Sequence, residues 1–130
     1  MSIWTHVSAI LRIDDMSVYE DNPTDWSKVF IESTYGHWNE NCNLPKGSEG
    51  SLNVNISAIE EEGIEYMKTV SIFGDLRDYE DVLGIRDWWV NVRDQLPKDC
   101  DIRQGILLAD CENGKRLILT HDDIHNKKKD

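Results

Sequence analysis

The side chains able to do chemistry in this 130-residue chain are few and widely spaced. His121 and His125 stand four apart, with Asp122 and Asp123 between them and Cys111 upstream. A zinc site needs three or four converging ligands, usually in tight pairs. One pair near a chain end falls short of that, and no metal is expected. Cys42 follows His37 by five residues, and a thiol beside an imidazole is the beginning of a nucleophile. The Asn-rich stretch around it offers no oxyanion-hole pattern. No other titratable pair has the spacing of a catalytic motif, so no catalytic residue, enzymatic activity or cofactor is expected.

Two short loops carry more signal. Gly47-Ser48-Glu49-Gly50 could turn backbone amides toward an anion. It lacks the Gly-Lys-Ser/Thr of a phosphate loop, and Glu49 would repel phosphate. Gly74-Asp75-Leu76-Arg77-Asp78-Tyr79 lies between a strand end and a helix start, where loops often bear function. Ser48, Glu49, Asp75, Arg77 and Tyr79 are therefore candidate contact residues for a small ligand. Local ion pairing of Arg77 with Asp75 and Asp78 is the competing structural explanation.

Charge supplies the other candidate. The chain has 25 acids, 14 Lys plus Arg and a net charge of −11. Residues 1–65 hold twelve acids against three bases, so the first half makes most of the field. Such a balance disfavours nucleic acid and anionic membranes, which both demand basic faces. It suits a protein partner with a basic surface, because an acidic face speeds association and makes it salt-sensitive. Candidate contacts are Asp14, Asp15, Glu20, Asp21, Glu60, Glu61, Glu62 and Glu65. Trp4, His6 and Arg12 could line an aromatic platform with Arg103 or Gln104, but the aromatic-plus-basic signature of RNA-binding sheets is missing.

These residues need elements to position them. Ile3 to Ile13 alternates as a half-buried strand, with Trp4, His6, Ser8, Ile10 and Arg12 on the second side. Asn22-Pro23-Thr24-Asp25 reads as a helix start with Gly36 as its end. A loop over 39–51 follows, then strands over 52–59 and 65–73 joined as a hairpin. Val82, Ile85, Trp89, Val92 and Leu96 set one apolar face of a second helix over 78–96, stopped by Pro97. Asn113-Gly114 joins strands over 102–111 and 115–121. The order predicts an α+β fold of ferredoxin-like split βαβ type: an antiparallel sheet (β-α-β-β-α-β plus an extra C-terminal strand) with two helices on one face. Residues 1–121 are expected to form the single domain, and 122–130 a polar, flexible tail.

That arrangement leaves too much apolar surface. Ile106-Leu107-Leu108 and Leu117-Ile118-Leu119 are apolar on both sides of their strands, and Ile10 adds to the second face. An uncovered patch of this kind marks an interaction surface. The 39–51 loop, with Trp38 and Leu44, or a second copy of the chain packed sheet to sheet could cover it, and a homodimer is the expected answer.

Trp4-Thr5-His6, Gly47-Ser48-Glu49-Gly50, Gly74 to Tyr79 and Ile102-Arg103-Gln104 together resemble small phage and prophage proteins of uncharacterised function, over roughly residues 3–110. The resemblance implies a context, a small acidic product that binds a host protein, and no catalytic residue. With no export signal at the first residues, no long apolar run and three widely spaced cysteines, a cytoplasmic protein with reduced thiols is expected.

Overall fold

A computed structural model describes residues 2–125. Five long strands form one antiparallel sheet in the order β4-β5-β1-β6-β7. They are β1 (Trp4–Asp15), β4 (Asn53–Glu61), β5 (Ile64–Arg77), β6 (Cys100–Cys111) and β7 (Arg116–Thr120). β2 (Lys46–Gly47) and β3 (Gly50–Ser51) make a separate two-stranded ribbon. The helices are α1 (Val82–Val90) and α2 (His121–His125). All five long strands lie where the sequence placed them, β1, β4, β5 and β6 somewhat longer than expected and β7 shorter.

The ferredoxin-like order is overturned. It requires a helix between the first two long strands, and that segment holds only two 3-10 turns, Met16–Tyr19 and Trp26–Lys28. Asp25 does cap a turn, accepting from the Ser27 amide, but the helix expected to run to Gly36 never propagates. The residues after Lys28 are largely β-branched or aromatic, which are weak helix formers. Their backbone groups find side-chain partners instead. The Ile31 amide donates to Asn43 Oδ1 and the Ser33 amide to Ser51 Oγ. Such local bonds compete directly with a helical ladder. The result is a mostly antiparallel β fold whose helices among the described residues, the nine-residue α1 and the five-residue α2, both come after β5 in the chain.

β1 shows why the sheet has two unlike faces. Thr5, Val7, Ala9, Leu11, Ile13 and Asp15 are buried, and the intervening side chains point the other way. On the buried face α1 lays Ile85 and Trp89 across the strands. Gly105 makes room for this: a Cβ there would come within 2.8 Å of Leu11 Cδ2 and 3.2 Å of the Trp89 ring. The Trp89 indole N–H donates to the Thr120 carbonyl, fixing the helix over β7's end. Phe30 and Leu44 fill the same layer, and the Trp88 indole N–H donates to the Asn43 carbonyl.

The 39–51 segment packs beside α1 and reaches the second face only at its border, where Glu49, Gly50 and Ser51 lie beside Trp4, Phe73 and Asp75. Trp38 stays exposed, edge-on to Tyr35 with ring centroids 5.9 Å apart. The second helix is shorter than its apolar pattern implied. It starts at Val82 under an Asp81 cap and continues past Val90 only as a 3-10 turn, Val92–Gln95. Ile124 of α2 is buried in the main core, so packed structure continues beyond residue 121. The remainder of the expected tail, residues 126–130, lies outside the described residues. Along β4, the Val54 amide donates to Glu32 Oε2 at 2.6 Å. Among the described residues no helix is long and apolar enough to cross a membrane.

Candidate functional site

The second face of the sheet is open, and strand register orders its side chains into rows. One row runs Thr120–Ile106–Ile10–Ser71–Asn55, and the next Ile118–Leu108–Ser8–Phe73–Asn53. Ile10, Phe73, Ile106, Leu108 and Ile118 are each between 41 and 64% exposed. Beside Ile10 and Ile106 lies a shallow depression of about 380 Å³, walled by Arg12, Gln104, Thr120, His121 and Asp122. Arg12 Nε is buried there with no hydrogen-bond partner, its closest carboxylate being Asp14 at 3.9 Å.

The next row beyond Leu108 is charged: Arg116–Asp110–His6–Asp75. His6 Nδ1 stands 2.6 Å from Asp75 Oδ1, and its Nε2 3.4 Å from Glu112 Oε2. Asp75 foremost, then Glu112, holds the imidazole above its ordinary pKa, against a smaller opposing effect of burial. Arg116 pairs with Asp110 at 3.3 Å. Asp75 thus serves His6 on the sheet face and leaves Arg77 alone. Sequence reasoning missed this cluster because Glu112 and Asp110 reach His6 only through the register of β1 against β6, which no local pattern encodes.

The acidic candidates fall at the opposite end of the sheet. Glu60, Glu61, Glu62 and Glu65 are exposed around the β4–β5 turn, and among the described residues none has an ion pair. Asp14 lies nearby on the open face, bridged by Arg12 and by Arg103 at 3.7 Å. Glu20 and Asp21 are exposed on the chain leaving β1. Hydrogen bonding to Asp99 raises the Glu20 pKa, the mark of two acids crowded together. Glu62 sits in the left-handed region at φ 54, next to Gly63 at φ 81, as a two-residue hairpin turn demands.

Asp15 leaves this set. It is 1% exposed, and its carboxylate accepts from the Ser17 amide and hydroxyl, the Trp26 indole N–H at 2.7 Å and the Cys100 thiol. β1 runs two residues past the end expected at Ile13, and its pleat turns Asp14 to the open face and Asp15 inward.

The candidate ligand loop is closed on itself. The Ser48 amide donates to the Arg77 carbonyl and the Ser48 hydroxyl to Asp78 Oδ2. The Arg77 guanidinium donates to Glu49 at 2.8 Å and to the Ser2 hydroxyl. Gly47 lies so close that a Cβ would come within 2.4 Å of the Arg77 carbonyl oxygen. Tyr79 is half-buried, and its carbonyl accepts from the buried Thr5 hydroxyl. Desolvation raises the Tyr79 pKa. Ser48, Glu49 and Arg77 thus clamp the β2–β3 ribbon to the end of β5, and their polar groups are committed to one another.

Among the described residues no three His, Cys, Asp or Glu groups converge as metal ligands. The His121 and His125 rings meet edge-on with centroids 6.0 Å apart, and His125 Nε2 is 3.2 Å from the Ile102 carbonyl. Cys100 and Cys111 are buried; burial foremost, and then the Asp15 carboxylate, pushes the Cys100 thiol up to about 12. Compared with known proteins, the chain matches no family model, no curated protein and no solved structure.

Proposed function

We propose that this protein is a non-enzymatic binding domain that docks the acidic β4–β5 end of its sheet on a basic surface of a protein partner. The observation that carries the reading is the convergence of Glu60, Glu61, Glu62 and Glu65 at one exposed turn, where among the described residues no basic side chain is paired to any of them. Glu20, Asp21 and Asp14 extend the same end, and Asp15 plays no part in the contact. Unpaired exposed carboxylates keep their full field for an incoming cation, which raises association rates and is screened by salt.

The turn geometry supports the same reading. A left-handed position favours Asn, Asp or Gly, and a glutamate there costs about 1 kcal/mol. Backbone strain retained at an exposed tip fits a residue kept for what it contacts. The resemblance to phage products makes a host protein the natural partner class. The alternative of a small-ligand sensor at Gly47–Gly50 and Arg77 draws no support from a loop whose donors and acceptors are already paired.

The test is affinity capture at low and high salt with wild-type protein, the triple reversal Glu60→Lys, Glu61→Lys, Glu62→Lys, and Glu62→Asn. A partner retained at low salt, released at high salt and lost by the triple variant is expected, with Glu62→Asn still binding. Capture that survives the triple reversal, or is indifferent to salt, overturns the proposal.

A further inference from the structure

The open face asks for an occupant, and its own layout describes one. We propose that a second copy of the chain packs on it, sheet to sheet, about a two-fold axis that crosses the strands at the level of Ile10 and Ile106. This goes beyond the acidic-end reading and, Asp14 apart, uses different residues.

Size comes first. The long strands hold 12, 9, 14, 12 and 5 residues. At about 3.4 Å per residue and 4.8 Å between strands, the face measures roughly 35 by 24 Å. That is about 800 Å², the contribution of each partner to a standard stable interface.

Two orientations are open to a two-fold pair of sheets, and the side chains choose between them. An axis along the strands lays each row over the same row. Arg12 would then meet the partner's Arg12, and Asp75 would meet the partner's Asp110. The glutamate tips of both copies would also stack at one end, adding repulsion to a chain already at −11. An axis across the strands reverses the rows about Ile10. His6 then lies over the partner's Asp14 and Asp110 over the partner's Asp101, so an opposite-charge contact offsets a like-charge one. The glutamate tips point to opposite ends of the dimer.

Shape agrees. Reversal about the Ile10–Ile106 row brings Leu108 and Ile118 over the partner's Gln104 and the start of its α2. That is the depression of about 380 Å³ between Gln104, Gly105, Ile106, Thr120, His121 and Asp122. The same reversal sets the small Ser8 opposite the partner's Arg12 in place of a second arginine. With the axis along the strands, the depression stays empty.

Light scattering after size exclusion, on the full chain at high micromolar concentration, tests the proposal. The expected mass is about 30 kDa, twice the 15.1 kDa of one chain. Ile10→Lys, on an exposed position, should return a folded species of one-chain mass. His6→Asp should weaken the dimer tenfold or more, and His6→Asp with Asp14→Arg should recover it. A one-chain mass for the wild type, or an Ile10→Lys protein that still dimerises, overturns the proposal and leaves the acidic-end reading standing. A double variant that stays as weak as His6→Asp overturns the orientation, because with the axis along the strands His6 meets His6 and Asp14 meets Asp14. Failure of the Glu60–Glu62 reversal to release a captured partner, with the dimer intact, defeats the other reading alone.

Discussion

Replacing Asp15 by Asn changes one atom and should cost this domain a large share of its stability. The carboxylate sits at the end of β1 with its two oxygens occupied by donors: the Ser17 amide and hydroxyl on Oδ1, the Trp26 indole on Oδ2, and the Cys100 thiol at 3.6 Å. Ser17 in turn is hydrogen-bonded to the Thr24 amide and hydroxyl, so the carboxylate anchors residues 16–26 to the sheet. Asparagine keeps one oxygen for Ser17 but turns an N–H2 toward the Trp26 N–H, donor against donor. A hydrogen bond to a charged group contributes about 1.5–3 kcal/mol, and a buried donor left unmet costs a similar amount. The expected loss is about 3 kcal/mol, against a total of about 5–15 kcal/mol for a domain of this size.

The pH dependence gives a second signature. Burial acts to raise the Asp15 pKa, but the bonds from Ser17, Trp26 and Cys100 outweigh it and hold the group below its ordinary 3.8. A depressed carboxyl stabilises the fold at pH values above the unfolded pKa. That contribution is lost as pH falls through the folded value. Urea unfolding followed by tryptophan fluorescence should show the full difference between wild type and Asp15→Asn at pH 7, narrowing progressively below about pH 3.8. A difference under about 0.5 kcal/mol at neutral pH, or one that does not narrow in acid, refutes the account of Asp15 as a buried charged anchor.

Other perturbations follow from the same geometry. Gly47→Ala places a Cβ against the Arg77 carbonyl and should detach the β2–β3 ribbon, with faster hydrogen exchange at the Ser48 amide and a loss of about 2 kcal/mol. An NMR titration should find His6 protonating above its ordinary 6.5, and Asp75→Asn should bring it down. Because the folded pKa is raised, the stabilisation from this contact is fully present below pH 6.5 and fades as pH rises through the folded value. In the native protein a thiol reagent at mildly alkaline pH should modify Cys42 alone, Cys100 and Cys111 reacting only on unfolding.

The strands were legible because a half-buried strand writes its two faces into alternate residues, and Leu52 to Ile59 and Ile3 to Ile13 do so plainly. The surplus of apolar sides on the last hairpin was legible for the same reason, and Ile106, Leu108 and Ile118 do stand exposed. The first helix was misread because Asn22-Pro23-Thr24-Asp25 is an adequate cap for one turn, and nothing in a cap obliges the next ten residues to follow. What decided against it, Asn43 and Ser51 bonding to the 31–33 backbone, lies 12 and 18 residues away. The His6 cluster was hidden by distance too, His6 and Glu112 standing 106 positions apart. Asp14 and Asp15 show the same limit at a boundary: a strand that stops at Ile13 leaves both as surface charge, and only the continuation of β1 to Asp15 turns one of them into the core.

The bond from the Val54 amide to Glu32 has a consequence for aggregation. β4 is a border of the sheet, and its outward amides would otherwise be free to recruit a strand from a neighbouring molecule. Glu32 occupies one of them near the start of that border, while the other border, β7, is only five residues long and turns at once into α2. With both rims blunted, sideways growth into fibrils is discouraged. Replacing Glu32 by alanine would remove one of those two guards.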